Sequence, residues 1–228
     1  MDINNELVLQ EPIIFQDIKI YQPNIRDIFN FGVNEYNSFL IPYSITHEML
    51  NIPEEHKDSI KMFDVIIRDE QVLPILLSSL KYFCKTDNVI LYKDTVIVNT
   101  GILYRENFDE FADIVLKVHA REKVKENKLP DNPKHREIEL KLRALKAKQK
   151  NSNEFQLCDI INIVKYGGKY HISTEEIKKM TLWELTNAYG CKLGVSNYED
   201  SLSIALVCGD KNNTLNDKHW SKLLKVSK

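Results

Sequence analysis

Glycine is scarce in this chain of 228 residues: there are seven, and they form no phosphate-cradling cluster. That removes the glycine-rich nucleotide-binding fingerprints. Four cysteines, Cys84, Cys158, Cys191 and Cys208, stand far apart with no Cys-x-x-Cys pair. Neither a zinc knuckle nor a dithiol redox motif is supported, and reduced, buried thiols are expected. None of the six histidines pairs with another four residues away across a carboxylate, so the helical zinc-protease arrangement is absent. A Gly-x-Ser-x-Gly elbow is missing too, and with it the strained turn that exposes a nucleophilic serine. The longest apolar runs, such as Val72–Leu80, fall well short of the ~18 residues of a membrane span. The opening MDINNELVLQEP is acidic and lacks the basic and apolar regions of a secretion signal.

What is present is ordinary globular material with one biased segment. The chain is 43% hydrophobic and 28% charged, enough apolar content for one large core or two small ones. A net charge of −2 gives no bulk attraction to nucleic acid, but it hides a segregation. Arg121–Lys150 carries eleven bases against five acids, so the remainder is acidic. This stretch has no aromatic residue and no glycine, and Pro130 and Pro133 interrupt it. Periodic apolar segments flank it. The chain is therefore expected to comprise an α+β domain over residues 12–120, a basic, partly helical linker over 121–152, and an all-helical unit over 153–228. Predominantly helical structure with a small sheet follows.

In the first part, Ile13–Tyr21 reads as a half-buried strand with Ile14, Ile18 and Ile20 on one face. Asn24 can cap a helix over Ile25–Gly32. Val72, Leu76, Leu80 and Phe83 recur at helical spacing, with Pro74 tolerable in the first turn. VILY and TVIV around Lys93-Asp94 predict a hairpin over Asn88–Gly101. Phe108, Phe111, Ile114, Val115 and Val118 form one face of a helix. Beyond the linker, Phe155–Val164 reads as a helix closed by Gly167-Gly168. Ser173 or Thr174 with Glu176 resembles a capping box. Thr181 starts Leu182–Gly194, Ser196 or Asn197 starts a separate helix over Tyr198–Gly209, and a last short helix carries Trp220.

No residue constellation points to catalysis, a cofactor or a metal. Asp109-Glu110 and Glu175-Glu176 sit in predicted first helical turns, where they complement the helix dipole without any acid–base role. A dyad of Cys158 and His171 has no local support. The linker clusters Lys and Arg, yet it lacks the stacking rings that nucleic-acid binding normally adds. Its second helix, Lys134–Lys150, has a narrow stripe of Ile138, Leu142 and Leu145, which needs a partner surface to fold against. Trp183 and Trp220 suit either core anchors or partner contacts.

The order of these segments resembles a known group. FQDIKIYQPNIRDI (Phe15–Ile28), the hairpin NVILYKDTVIVN, the linker NPKHREIELKLRALKAKQK, then TLWELTNAYG and a late His219-Trp220 are similar to tail assembly chaperones of tailed phages of Gram-positive bacteria. These are encoded upstream of the tape-measure protein. The resemblance implies a soluble, non-enzymatic protein of the infected host's cytoplasm. It would hold the tape-measure protein, help recruit tail-tube subunits and use no cofactor, and homo-oligomer formation stays open. Ile138, Leu142, Leu145, Trp220, Leu223 and Leu224 are the expected partner contacts. A structural tail component is the alternative, and a nucleic-acid-binding regulator a more distant one.

Overall fold

A computed structural model describes residues 3–50, 52, 56–57, 59–123, 156–167 and 171–209. Helix α1 (Asn4–Val8) leads into strands β1 (Ile13–Phe15) and β2 (Ile18–Ile20), then helices α2 (Ile25–Phe31), α3 (Val33–Phe39) and α4 (Ile41–Ser44). Helices α5 (Met62–Arg68) and α6 (Val72–Cys84) precede strands β3 (Val89–Tyr92), β4 (Thr95–Val98) and β5 (Gly101–Leu103). Helix α7 (Phe108–Val118) closes this part. Helices α8 (Leu157–Tyr166), α9 (Thr174–Lys179) and α10 (Leu182–Cys208) follow. The fold is thus α+β and predominantly helical, with a two-stranded and a three-stranded antiparallel sheet, the latter in the order β3-β4-β5.

Local chemistry explains most element ends. The Asn24 side chain accepts from Asp27 N at 2.8 Å and starts α2. Gly32, at φ +107°, lets the chain turn directly into α3. At α6 the Asp69 carboxylate accepts from Gln71 N and Val72 N at 2.8 and 3.0 Å, and Pro74 lies in the first turn, where no intrahelical N–H is needed. Lys85, left-handed at φ +48°, ends that helix. Helices α9 and α10 each begin with a reciprocal capping box, Ser173 with Glu176 and Thr181 with Glu184.

The expected single strand over Ile13–Tyr21 is instead a hairpin. Gln16 and Asp17 both adopt positive φ (44° and 68°), as a type I′ turn requires, and Phe15 pairs with Ile18. The turn resets the alternation, so Ile13, Phe15, Ile18 and Ile20 point inward and Ile14 points out. The separate helix expected over Tyr198–Gly209 is the continuation of α10, which runs 27 residues without a break. Ser196 and Asn197 stay helical, and Ser201 Oγ bonds back to Asn197 O at 2.8 Å. Interior Gly190 and Gly194 are tolerated at a cost of about 1 kcal/mol each relative to alanine.

Helix α7 forms the centre, burying Phe108, Phe111, Ala112, Ile114, Val115, Leu116 and Val118. Tyr43 packs against Phe83, Phe108 and Phe111 at ring separations of 6.1–6.2 Å, and its hydroxyl shares a hydrogen with Ser79 Oγ at 2.7 Å. The helices after residue 155 join this same core through Val164, Ile177, Leu182 and Leu185. Ile25 N donates to Met180 O at 2.8 Å, and Asn24 and Thr181 form an antiparallel bridge.

Asn107 joins the sheet to α7. Its buried amide donates to Gln16 Oε1 and Ile102 O at 2.6 and 2.9 Å, and accepts from Tyr104 N at 2.8 Å. Beside it, Gly101 lets the β1–β2 turn approach closely. A Cβ there would press on Ile18 Cγ1 and stand 2.7 Å from Gln16 O. Gly101→Ala is predicted to cost about 1–3 kcal/mol in urea unfolding, because a backbone oxygen cannot swing aside.

Candidate functional site

All six partner contacts expected from sequence, Ile138, Leu142, Leu145, Trp220, Leu223 and Leu224, lie outside the described residues. Trp183 is described: it is half-buried and packs on the core. The surfaces that can be built are therefore others.

The first is the far end of α10. Its opening turns are anchored by buried Leu182 and Leu185. Two turns beyond Leu185, Lys192 Nζ donates to Val164 O at 2.5 Å and to Gly167 O, at the carbonyl end of α8. Beyond Gly194 no residue of the helix is buried. At 100° per residue, Leu193, Ile204 and Val207 share one side, and Val195, Tyr198, Leu202 and Leu206 the other. A helix apolar on two sides is normally enclosed. Here Ile204, Leu206 and Val207 are 65%, 79% and 86% exposed.

The second is the outer face of the three-stranded sheet. Val89, Val96, Val98 and Leu103 point into the core, so the alternate positions should be polar. Instead Ile90, Ile97 and Ile102 are direct cross-strand neighbours in one row. Ile90, Ile102 and the nearby Tyr92 and Tyr104 are exposed. Contiguous apolar surface of this kind marks a place where something docks. Its signal lay in the sequence: VILY, TVIV and GIL are apolar at odd and even positions alike.

The described groups offer little for covalent chemistry. Among the described residues no three His, Cys, Asp or Glu side chains gather as metal ligands. Cys158 and His171 are both exposed, and His171 Nδ1 lies 3.3 Å from Lys165 O. Cys84 is buried, which pushes its thiol up to about 12. A close buried pair joins Tyr36 and His119, with the Tyr36 hydroxyl 2.5 Å from His119 Nδ1. Phe83 covers the imidazole at a ring separation of 4.3 Å, and His119 Nε2 has no hydrogen-bond partner. Burial pushes Tyr36 up and His119 down to about 3. Both are neutral near pH 7 and fasten α3 to the end of α7.

Comparison with known proteins gives no lead: no family model, curated protein or solved structure matches the chain.

The His119 environment has a definite sign. Its folded pKa lies below the unfolded value of about 6.5, so its stabilising contribution is complete above pH 6.5 and is lost as pH falls toward 3. The expected slope is about 1.4 kcal/mol per pH unit inside that window. Urea unfolding of wild type and His119→Gln between pH 7 and 4.5 isolates this contribution from the carboxylates. The variant should lose less stability on acidification; equal losses would contradict the buried neutral imidazole.

Proposed function

We propose that the protein is a non-enzymatic tail assembly chaperone of a tailed phage, which holds the tape-measure protein and helps recruit tail-tube subunits in the host cytoplasm. The order of sequence segments supports this reading. The observation that carries it is the far half of α10, a helix apolar on two sides and left open to solvent at Ile204, Leu206 and Val207. A tape-measure protein is a very long helical chain that exposes apolar stripes before assembly. Capturing such a client takes apolar contacts along a helix rather than an enclosed pocket. No described helix is long and apolar enough to cross a membrane, so these residues do not form a bilayer span.

A second reading, a permanent structural component of the tail, is favoured by the isoleucine row on the sheet, since a flat apolar face suits lasting burial. Purified particles separate the two: a chaperone is absent from them, and a structural component is present at fixed copy number.

The direct test is capture of a co-expressed tape-measure fragment. Leu206→Asp with Val207→Asp should lower capture at least tenfold while leaving unfolding stability within about 0.5 kcal/mol, as expected for exposed sites. Leu142→Asp with Leu145→Asp is the parallel pair for the linker. Capture unchanged by both pairs would reject helix-mediated client binding.

A further inference from the structure

A cleft of about 500 Å³ opens between α2, the last turn of α6 and the segment leaving β2. It lies apart from the far end of α10 and from the outer sheet face. Its apolar walls are aromatic. Phe31 and Tyr82 meet in a tilted pair at 4.6 Å between centroids, with Phe39 beside Phe31 at 5.0 Å. Tyr21 supplies another ring, held in place because its backbone N–H donates to Phe83 O at 2.8 Å.

The polar groups of the cleft are sorted by helix. Lys81 and Lys85, one turn apart, come from the end of α6, and Lys85 Nζ lies 4.9 Å from the centre of the Tyr21 ring. Asp27 and Asn30, also one turn apart, come from α2. Among the described residues neither lysine has a carboxylate partner. This pairing of lysines sits within an acidic part of the chain, since residues 1–123 hold 20 acids and 12 bases. Lysines near a helix C-terminus complement its dipole. That alone does not account for the rings, nor for Asp27 and Asn30 around the same cleft.

We infer that this cleft binds an acidic peptide segment carrying an aromatic side chain. The ring enters beside Tyr21, Phe31 and Tyr82, where aromatic contacts add to apolar burial. The flanking carboxylates meet Lys81 and Lys85. Asp27 and Asn30 are placed to take the backbone N–H groups that the segment brings. The cleft is open and its rim is exposed, which suits a peptide; small-molecule sites enclose most of their ligand. The inference stands independently of the tail-assembly reading.

Isothermal titration calorimetry with a synthetic decapeptide built on a Glu-Asp-Phe-Glu core tests it on the full chain. Saturable binding is expected, weakening as salt rises. Affinity should fall at least tenfold when the peptide's phenylalanine becomes alanine. A similar loss is expected for Lys81→Glu with Lys85→Glu, whose thermal midpoint should fall by no more than about 5 °C through the lost complement to the helix dipole. Binding should vanish when the peptide's acids become lysines. Absence of saturable binding, equal binding of the lysine peptide, or unchanged affinity of the double variant would each overturn the assignment. A fourth arm, Asp27→Ala with Asn30→Ala, removes the two acceptors without reversing any lysine: it should also weaken binding of the acidic peptide, and unchanged affinity would overturn their part in the site.

Discussion

The seam between Asn24-Ile25 and Met180-Thr181 is the constraint on which the rest depends. Here the start of α2 meets the start of α10 through the Ile25 N–Met180 O hydrogen bond and a short antiparallel bridge. The Arg26–Glu175 ion pair beside it is exposed on both sides and screened by solvent, so it adds little. Apolar burial decides the energetics. Ile177, Leu182 and Leu185 are carried onto the core at the seam, and each contributes about 1.5–3 kcal/mol in transfer terms. The capping boxes of α9 and α10 fix the angles at which these side chains arrive.

Anchoring one end of a long helix leaves the other to its own devices. Helix α10 is about 40 Å long at 1.5 Å per residue. Its first half is held by the seam and by Lys192 on the carbonyl end of α8; its second half has no buried residue. Elements with few buried contacts open at low free energy, and binding surfaces are commonly drawn from them. A helix with a fixed base and an apolar end is a mechanically sensible way to present a surface to the proposed helical client. Its stability does not depend on that client, because the core lies elsewhere.

Much of the fold could be read from residues whose local chemistry is self-contained. The β3–β4 hairpin followed from two β-branched runs around Lys93-Asp94, and the caps at Asn24, Ser173 and Thr181 from side chains that satisfy nearby N–H groups. The Gln16-Asp17 turn escaped because it holds no glycine or asparagine: Asp17 tolerates positive φ, but Gln16 gives no sign of it. Ser196 and Asn197 misled for the converse reason: residues suited to caps can lie inside a helix when the backbone continues through them. The exposed surfaces were legible only in retrospect. Apolar alternation on both faces of β3–β5 was visible, but which face meets the core depends on packing that no local pattern encodes. The seam itself joins residues more than 150 positions apart, and nothing in either segment names the other.

Hydrogen exchange along α10 tests the central claim most directly. Amides from Leu185 to Tyr189 should exchange with the same free energy of opening as those of α6 and α7, showing that they share one core. Amides from Asn197 to Cys208 should exchange several kcal/mol more easily, by local opening. Uniform protection along the whole helix, or early exchange of Leu185–Tyr189 while α7 stays closed, would contradict an α10 anchored at one end and exposed at the other.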